Sequence, residues 1–230
     1  MKTLGIVGGI GPESTVDYYR SLIRIWQAQT KDGSAPSILL NSIDLKKWLG
    51  MLGANDLSAV TAYASEEMER LARAGAHVGL FASNTPHLVF DDLQRRSSIP
   101  LISIVEATRE AAEQLRLRRL GLFGVRFTMQ GRFYPDVFSK AGITLVVPDE
   151  SEQGYIHNIY VNELLKGVFL PETRERLLTI VNRLAKQERV EGVILGGTEL
   201  PLILREASCS IPFLDTAEIH VKAALRHLLS

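Results

Sequence analysis

Half of this sequence reads as a diverged copy of the other half, and that constrains the fold more than any other feature. Leu4-Gly5-Ile6-Val7-Gly8 recurs as Leu120-Gly121-Leu122-Phe123-Gly124. The segment from Gly75 to Thr85 (GAHVGLFASNT) recurs as Val190 to Glu199 (VEGVILGGTE). Ile99-Pro100-Leu101-Ile102-Ser103 recurs as Ile211-Pro212-Phe213-Leu214-Asp215. The three matches keep one order at a nearly constant offset, which a chance likeness between any two α/β segments does not produce. A duplication implies two α/β halves related by a pseudo-twofold axis. The reading assigns residues 1–105 with 210–230 to the first half and 106–209 to the second.

Within each half, short apolar runs alternate with helical patterns, the signature of a parallel sheet with crossover helices. Strands are predicted at 4–7, 37–41, 78–82, 101–104, 120–123, 144–147, 192–195 and 213–214. The spacing of Val16, Tyr19, Ile23 and Trp26 predicts one face of a first helix. Leu57, Val60, Ala64, Met68 and Leu71 stripe a second, capped by Asp56 and ended by Gly75. Ile156, Ile159, Tyr160 and Leu164 stripe a third, which ends near Gly167. Leu177, Ile180, Val181 and Leu184 follow a start at Pro171-Glu172, and a last helix begins near Ala217 with Ile219, Ala223 and Leu228 facing one way. The 230 residues suffice for two such halves and a substantial core.

Composition removes several function classes. Lys+Arg and Asp+Glu are 26 each, so the global basic excess of a nucleic-acid binder is missing. Charged residues interrupt every long apolar run, which excludes a membrane-spanning helix. The single cysteine, Cys209, excludes an intramolecular disulfide and a multi-cysteine metal site. The N-terminal run is a short strand without the features of a signal peptide. The expectation is a soluble, cytoplasmic protein without nucleic-acid or membrane partners.

In open parallel sheets ligands bind beyond the carboxyl ends of the strands. Four loops of this kind form two matched pairs: Gly8-Gly9-Ile10-Gly11-Pro12-Glu13-Ser14-Thr15 with Gly124-Val125-Arg126-Phe127-Thr128-Met129, and Ser83-Asn84-Thr85-Pro86-His87 with Gly196-Gly197-Thr198-Glu199-Leu200-Pro201. The symmetry is expected to bring each pair face to face across a cleft between the halves, around a small ligand. The first glycine loop lacks the dinucleotide spacing, and the chain lacks a phosphate-loop Gly-Lys-Ser/Thr. Its glycines satisfy a tight strand-to-helix turn, and its bare N–H groups, those of Gly9 and Ile10 included, suit a carboxylate at a helix N-terminus.

With these motifs in view, the chain resembles the cofactor-independent aspartate/glutamate racemase family over nearly its whole length. The opening from Lys2 to Thr15 resembles that family's N-terminal signature. Asn84-Thr85-Pro86-His87 resembles the tail of its Cys-Asn-Thr-x-His motif, and Gly196-Gly197-Thr198-Glu199 its Gly-Cys-Thr-Glu motif. The resemblance implies two pseudo-symmetric Rossmann-like halves with parallel sheets, a site between them, commonly a homodimer, and isomerase chemistry on an acidic amino acid without pyridoxal phosphate. No motif supports a metal or nucleotide either.

The departures bear on the chemistry. The family's two catalytic thiols align with Ser83 and Gly197, so the two-thiol transfer, with one thiol on each face of Cα, cannot operate. A thiol ionises near pH ~8.5 and is readily tuned; a serine needs an adjacent base, and glycine offers no side chain. Water is expected to fill the space beside Gly197, and restoring cysteines at 83 and 197 is expected to raise activity. His87, four residues after Ser83, fits two roles: a base, or a hydrogen-bonder that orients the loop. Cys209 falls near the amino end of its strand, away from the loops, as an inert thiol. His77, His157, His220 and His227 have no chemical neighbours in sequence and read as surface or packing residues.

Asn84, Thr85 and Thr198 resemble the family's binders of the α-carboxylate and amino groups, with Thr128 in the matching loop. Glu199 suits an ammonium group or loop positioning. Arg126 suits a distal carboxylate or a salt bridge to another loop. Lys166 sits where some family members place a substrate-facing lysine, and Lys46 and Lys47 fit either a distal carboxylate or solvated loop charge. Three functions remain open on these residues: an isomerase acting on an acidic amino acid, a lyase or decarboxylase on the same scaffold, and a non-catalytic carboxylate-binding protein.

Overall fold

A computed structural model describes residues 2–205 and 207–229. The chain divides into two units, residues 1–103 with 220–230 and residues 104–219. Residues 210–219, assigned from sequence to the first half, belong to the second. The cause is the strand at Phe213–Asp215, which pairs with the strand Gly192–Leu195 of that unit.

The first unit runs β1 (Thr3–Gly8), α1 (Pro12–Thr30), β2 (Ser37–Ser42), α2 (Leu45–Gly53), α3 (Leu57–Arg73), β3 (Val78–Phe81) and α4 (Phe90–Arg96). β1 is the central strand of a parallel sheet ordered β2-β1-β3, with Ile6 opposite both Leu40 and Leu80. Leu4, Ile6 and Val7 are all buried, as a strand covered on both faces requires. Leu101 adds a single parallel bridge to Gly79, and Ile104 already begins a helix. The strand predicted at 101–104 therefore shrinks to one bridge, although its backbone still exchanges bonds with Gly79 through Pro100 and Ile102.

The second unit runs α5 (Ile104–Gln114), β4 (Arg119–Phe123), α6 (Arg126–Gln130), α7 (Phe133–Phe138), β5 (Thr144–Val146), α8 (Glu150–Asn162), α9 (Pro171–Gln187), β6 (Gly192–Leu195), α10 (Leu200–Leu204) and β7 (Phe213–Asp215). α11 (Thr216–Leu229) starts here and ends in the first unit. The parallel sheet is ordered β5-β4-β6-β7. With Leu101 counted as an incipient strand, the first unit has the same order, β2-β1-β3 and then Leu101, which is the duplication read from the sequence. Side chains alternate across the second sheet. Phe123, Val193 and Leu195 pack with α8, α9 and α10, whereas Leu120, Leu122, Ile194 and Leu214 pack with α5 and α7. Among the described residues no helix is long and apolar enough to cross a membrane.

The helices follow their local signals with one exception. Asp56 caps α3 by accepting from the Ala59 N–H at 2.9 Å, and Val60, Ala64, Met68 and Leu71 are buried as expected, while Leu57 at the first turn is exposed. The stripe of α9 is buried in full. α1 turns a different face inward: Thr15, Tyr18, Leu22, Ile25 and Trp26 are buried, while Val16 and Tyr19 are 46% and 50% exposed. Small polar residues mislead the pattern here. Thr15 must lie against the β1 terminus, where a Cβ on Gly8 would come within 2.5 Å of its methyl group.

Candidate functional site

In the first unit, the loops after β1 and β3 carry the expected residues. The Gly9 N–H donates to Thr15 Oγ1 at 2.9 Å, and that hydroxyl donates onward to the Gly11 carbonyl at 2.9 Å. The Gly9 amide, expected to serve a carboxylate, is thus consumed in holding the turn. Glycine is required there: φ is +85°, and a Cβ would lie 2.7 Å from the Ile43 nitrogen. Ile10 is buried beside it.

After β3, Ser83, Asn84 and His87 are all buried, and residues 85–89 form a short 3₁₀ turn. Ser83 Oγ shares a 3.3 Å hydrogen bond with Thr85 Oγ1, which also accepts from Trp48 Nε1 at 3.2 Å. His87 N–H donates to the Asn84 carbonyl at 3.0 Å, and its ring stacks on Phe90 at 4.4 Å. Burial, with the nearby His220, pushes the His87 pKa down to about 3. A neutral imidazole this reluctant to accept a proton is a poor general base. This burial argues against the base role read for His87, whose ring is held by stacking on Phe90. His220, read as a packing residue, is fully buried in α11: its Nδ1 lies 3.0 Å from Tyr18 Oη and its Nε2 2.9 Å from the Ile102 carbonyl.

In the second unit the loops after β4 and β6 interlock. A Cβ on Gly124 would meet the Gly196 carbonyl and Thr128 Cβ at 2.8 Å, and one on Gly196 would meet Thr128 Cγ2 at 3.0 Å. Thr128 is thereby buried, and its hydroxyl has no hydrogen-bond partner among the described residues. A buried hydroxyl in that condition costs roughly 1–3 kcal/mol unless something else satisfies it. Arg126, at the start of α6, is exposed; its backbone N–H donates to His157 Nδ1 at 3.4 Å. Lys166 is exposed after α8, and Lys47 in the first unit lies over the Tyr63 ring at 3.9 Å.

The least expected arrangement surrounds Gly197. A Cβ there would fall inside the contact radius of Tyr160 Cε2 and only 2.9 Å from Cζ and Oη of the same ring. The space is filled by a tyrosine from α8, not open to water as the sequence suggested. Tyr160 Oη donates to Glu199 Oε2, and Thr198 Oγ1 donates to that oxygen at 3.1 Å. Glu199 is therefore engaged in positioning its loop. Burial and the Glu199 carboxylate push the Tyr160 phenol well above its usual range. Sequence reasoning counted Tyr160 only as a core residue. Cys209 packs partly buried against the apolar cluster of α8 and α9.

Comparison with known proteins gives a consistent result. The profile of the Asp/Glu/Hydantoin racemase family matches residues 7–224. A Yersinia pestis protein of known structure is 31% identical, with each chain covered in full and a TM-score of 0.90. An aspartate racemase homologue from Pyrococcus horikoshii is 33% identical, again over the whole of both chains, with a TM-score of 0.87. The broad specificity amino-acid racemase RacX of Bacillus subtilis is 20% identical over 99% of this chain and 98% of its own length.

Proposed function

The chain belongs to the Asp/Glu/Hydantoin racemase family, and from that premise we propose that it binds an acidic amino acid or related carboxylate as an isomerase-class protein without pyridoxal phosphate. The candidate ligand-binding groups lie on the loops at the carboxyl ends of each unit's central strands: Asn84 and Thr85 in the first unit, and Thr128 and Thr198 in the second, with Arg126 there to reach a distal carboxylate. The observation that carries this reading is the concentration of buried polar side chains in those loops. Ser83, Asn84, Thr128, Thr198 and Glu199 are all buried after strands that are otherwise apolar. Polar groups at such depth are costly unless they serve a bonded network or a ligand. The Thr128 hydroxyl, lacking a partner among the described residues, supports the second use.

A second reading, a carboxylate-binding protein that no longer inverts its ligand, is favoured by one feature: neither position aligned with a catalytic thiol carries one. Calorimetric titration with both enantiomers of aspartate and glutamate tests binding, and chiral chromatography of long incubations tests inversion. The expected result is saturable binding of an acidic amino acid with very slow inversion. Failure to bind any of the four would overturn the proposal, and brisk two-way inversion would overturn the slow-inversion part. The family resemblance also carries a homodimer, which sedimentation equilibrium tests directly.

A further inference from the structure

In the reading so far the buried Tyr160–Glu199 pair only fills space and positions a loop. Filling the space beside Gly197 requires only an aromatic ring, and phenylalanine would do it without burying a hydroxyl on a carboxylate. The pair is instead elaborated. Tyr160, 6% exposed, donates to a Glu199 carboxylate that is 0% exposed, and Thr198 donates to the same oxygen. Burial and the Glu199 carboxylate keep the phenol protonated well above its usual range, and the bond to Glu199 is the path along which that proton leaves. The pair lies at the carboxyl end of β6, where open sheets of this type place ligands. The phenol oxygen stands 2.9 Å from where a residue-197 side chain would begin.

Building on the ligand reading above, we infer that Tyr160 is the proton carrier at this end of β6, with Glu199 as the group that takes and returns its phenolic proton. In the forward step the bond between Cα and its hydrogen breaks, and the proton passes to Tyr160 Oη. At the same time the original phenolic proton passes to the Glu199 carboxylate. The C–H electron pair stays on the ligand as an enediolate. The proton now on Tyr160 Oη exchanges with solvent while Glu199 keeps the other, and the reverse step returns a solvent-derived proton to Cα. Charge balances: the ligand gains the unit of negative charge that Glu199 loses. One carrier can remove and return a proton without inverting the centre, so hydrogen exchange at Cα outruns racemisation.

The test is proton NMR in D₂O, following loss of the Cα–H signal of L-aspartate and L-glutamate at saturating concentration, with calorimetry on the same samples. The parent chain is expected to exchange. Tyr160→Phe, which removes only the hydroxyl, is expected to bind with similar affinity and exchange at least ~10²-fold more slowly. Glu199→Gln keeps an acceptor for the phenol but cannot take its proton, and it guards against a folding defect peculiar to the first variant. Its exchange at saturation is expected to fall similarly. Exchange by Tyr160→Phe at the parent rate would overturn the inference and leave the ligand reading standing. So would a parent chain that binds its ligand but exchanges nothing. A parent chain that binds neither amino acid would overturn both.

Discussion

A Cβ at position 197 would stand 2.9 Å from Cζ and Oη of Tyr160, so a thiol there has to displace a buried ring. Restoring cysteines at 83 and 197, attractive from sequence, is therefore not a neutral repair. Gly197→Cys is expected to destabilise the fold by about 1–3 kcal/mol through overpacking, read from the urea midpoint. The smaller gain from replacing a glycine, ~0.4–1 kcal/mol, does not reverse the sign. Combined with Tyr160→Ala, the same substitution should cost less than the two separate losses, because the removed ring frees the space. Strict additivity would show that the contact is not what excludes the cysteine. Charged residues separate in the same way. Lys47 lies over the Tyr63 ring, whereas Arg126 is exposed beside the buried Thr128. Arg126→Ala is expected to weaken acidic-ligand binding by roughly 1.5–3 kcal/mol, the range for a lost charge-assisted hydrogen bond. Lys47→Ala should leave it nearly unchanged. Equal affinity of the Arg126 variant and the parent, by calorimetry, would remove that residue from the site.

Elements with a full period and a capping residue were legible in the sequence, and those that lean on the rest of the fold were not. The α3 cap is an example: Asp56 was chosen by its place before an apolar stripe, and its carboxylate does hold the Ala59 N–H. Asp56→Ala is expected to cost about 1 kcal/mol, and Asp56→Ser, which keeps an acceptor, much less. Equal losses in urea melts would mean that the cap contributes nothing. α1 was misread because both its faces have helical spacing, and Ser14, Thr15 and Ser21 make the buried one look polar. α6 and α10 span five residues each, too few for a period to declare itself. The strand at 101–104 was placed by its short apolar run, but the chain enters α5 after one bridge. The same distinction divides the site. The loops after β1, β3, β4 and β6 were legible because strand ends, glycines and the duplication mark them. Tyr160 was not, because its spacing with Ile156, Ile159 and Leu164 is that of a core stripe, and it is buried as such. Its second role depends on a glycine in another element, a pairing that no local pattern encodes.

Across the whole chain, the two units share a strand order but not their ionisable cores, and acid should distinguish them. The first unit buries His87 and His220 completely, and burial lowers their pKa values to about 3 and about 4. His220 is held neutral by burial, against the opposing effect of its bond to the Ile102 carbonyl; that bond puts the proton on Nε2 and leaves Nδ1 to accept from Tyr18. In the unfolded chain both imidazoles take a proton near pH ~6.5. Above that value neither state is charged, and the stability tied to these groups is fully present. As pH falls below it, the unfolded state binds protons that the folded state refuses, so stability falls and continues to fall until the folded pKa values are reached. Each histidine contributes a slope approaching ~1.4 kcal/mol per pH unit. Both tryptophans, Trp26 and Trp48, are buried in this unit, so indole emission reports on its unfolding. Between pH 6.5 and 5, above most of the carboxylate range, the urea midpoint of that emission is expected to fall steadily. His87→Phe keeps a ring to stack on Phe90 and removes one of the two titrating groups. Its midpoint should fall about half as steeply, and a parent chain whose midpoint stays level across this window would show that these histidines are not held neutral by the fold.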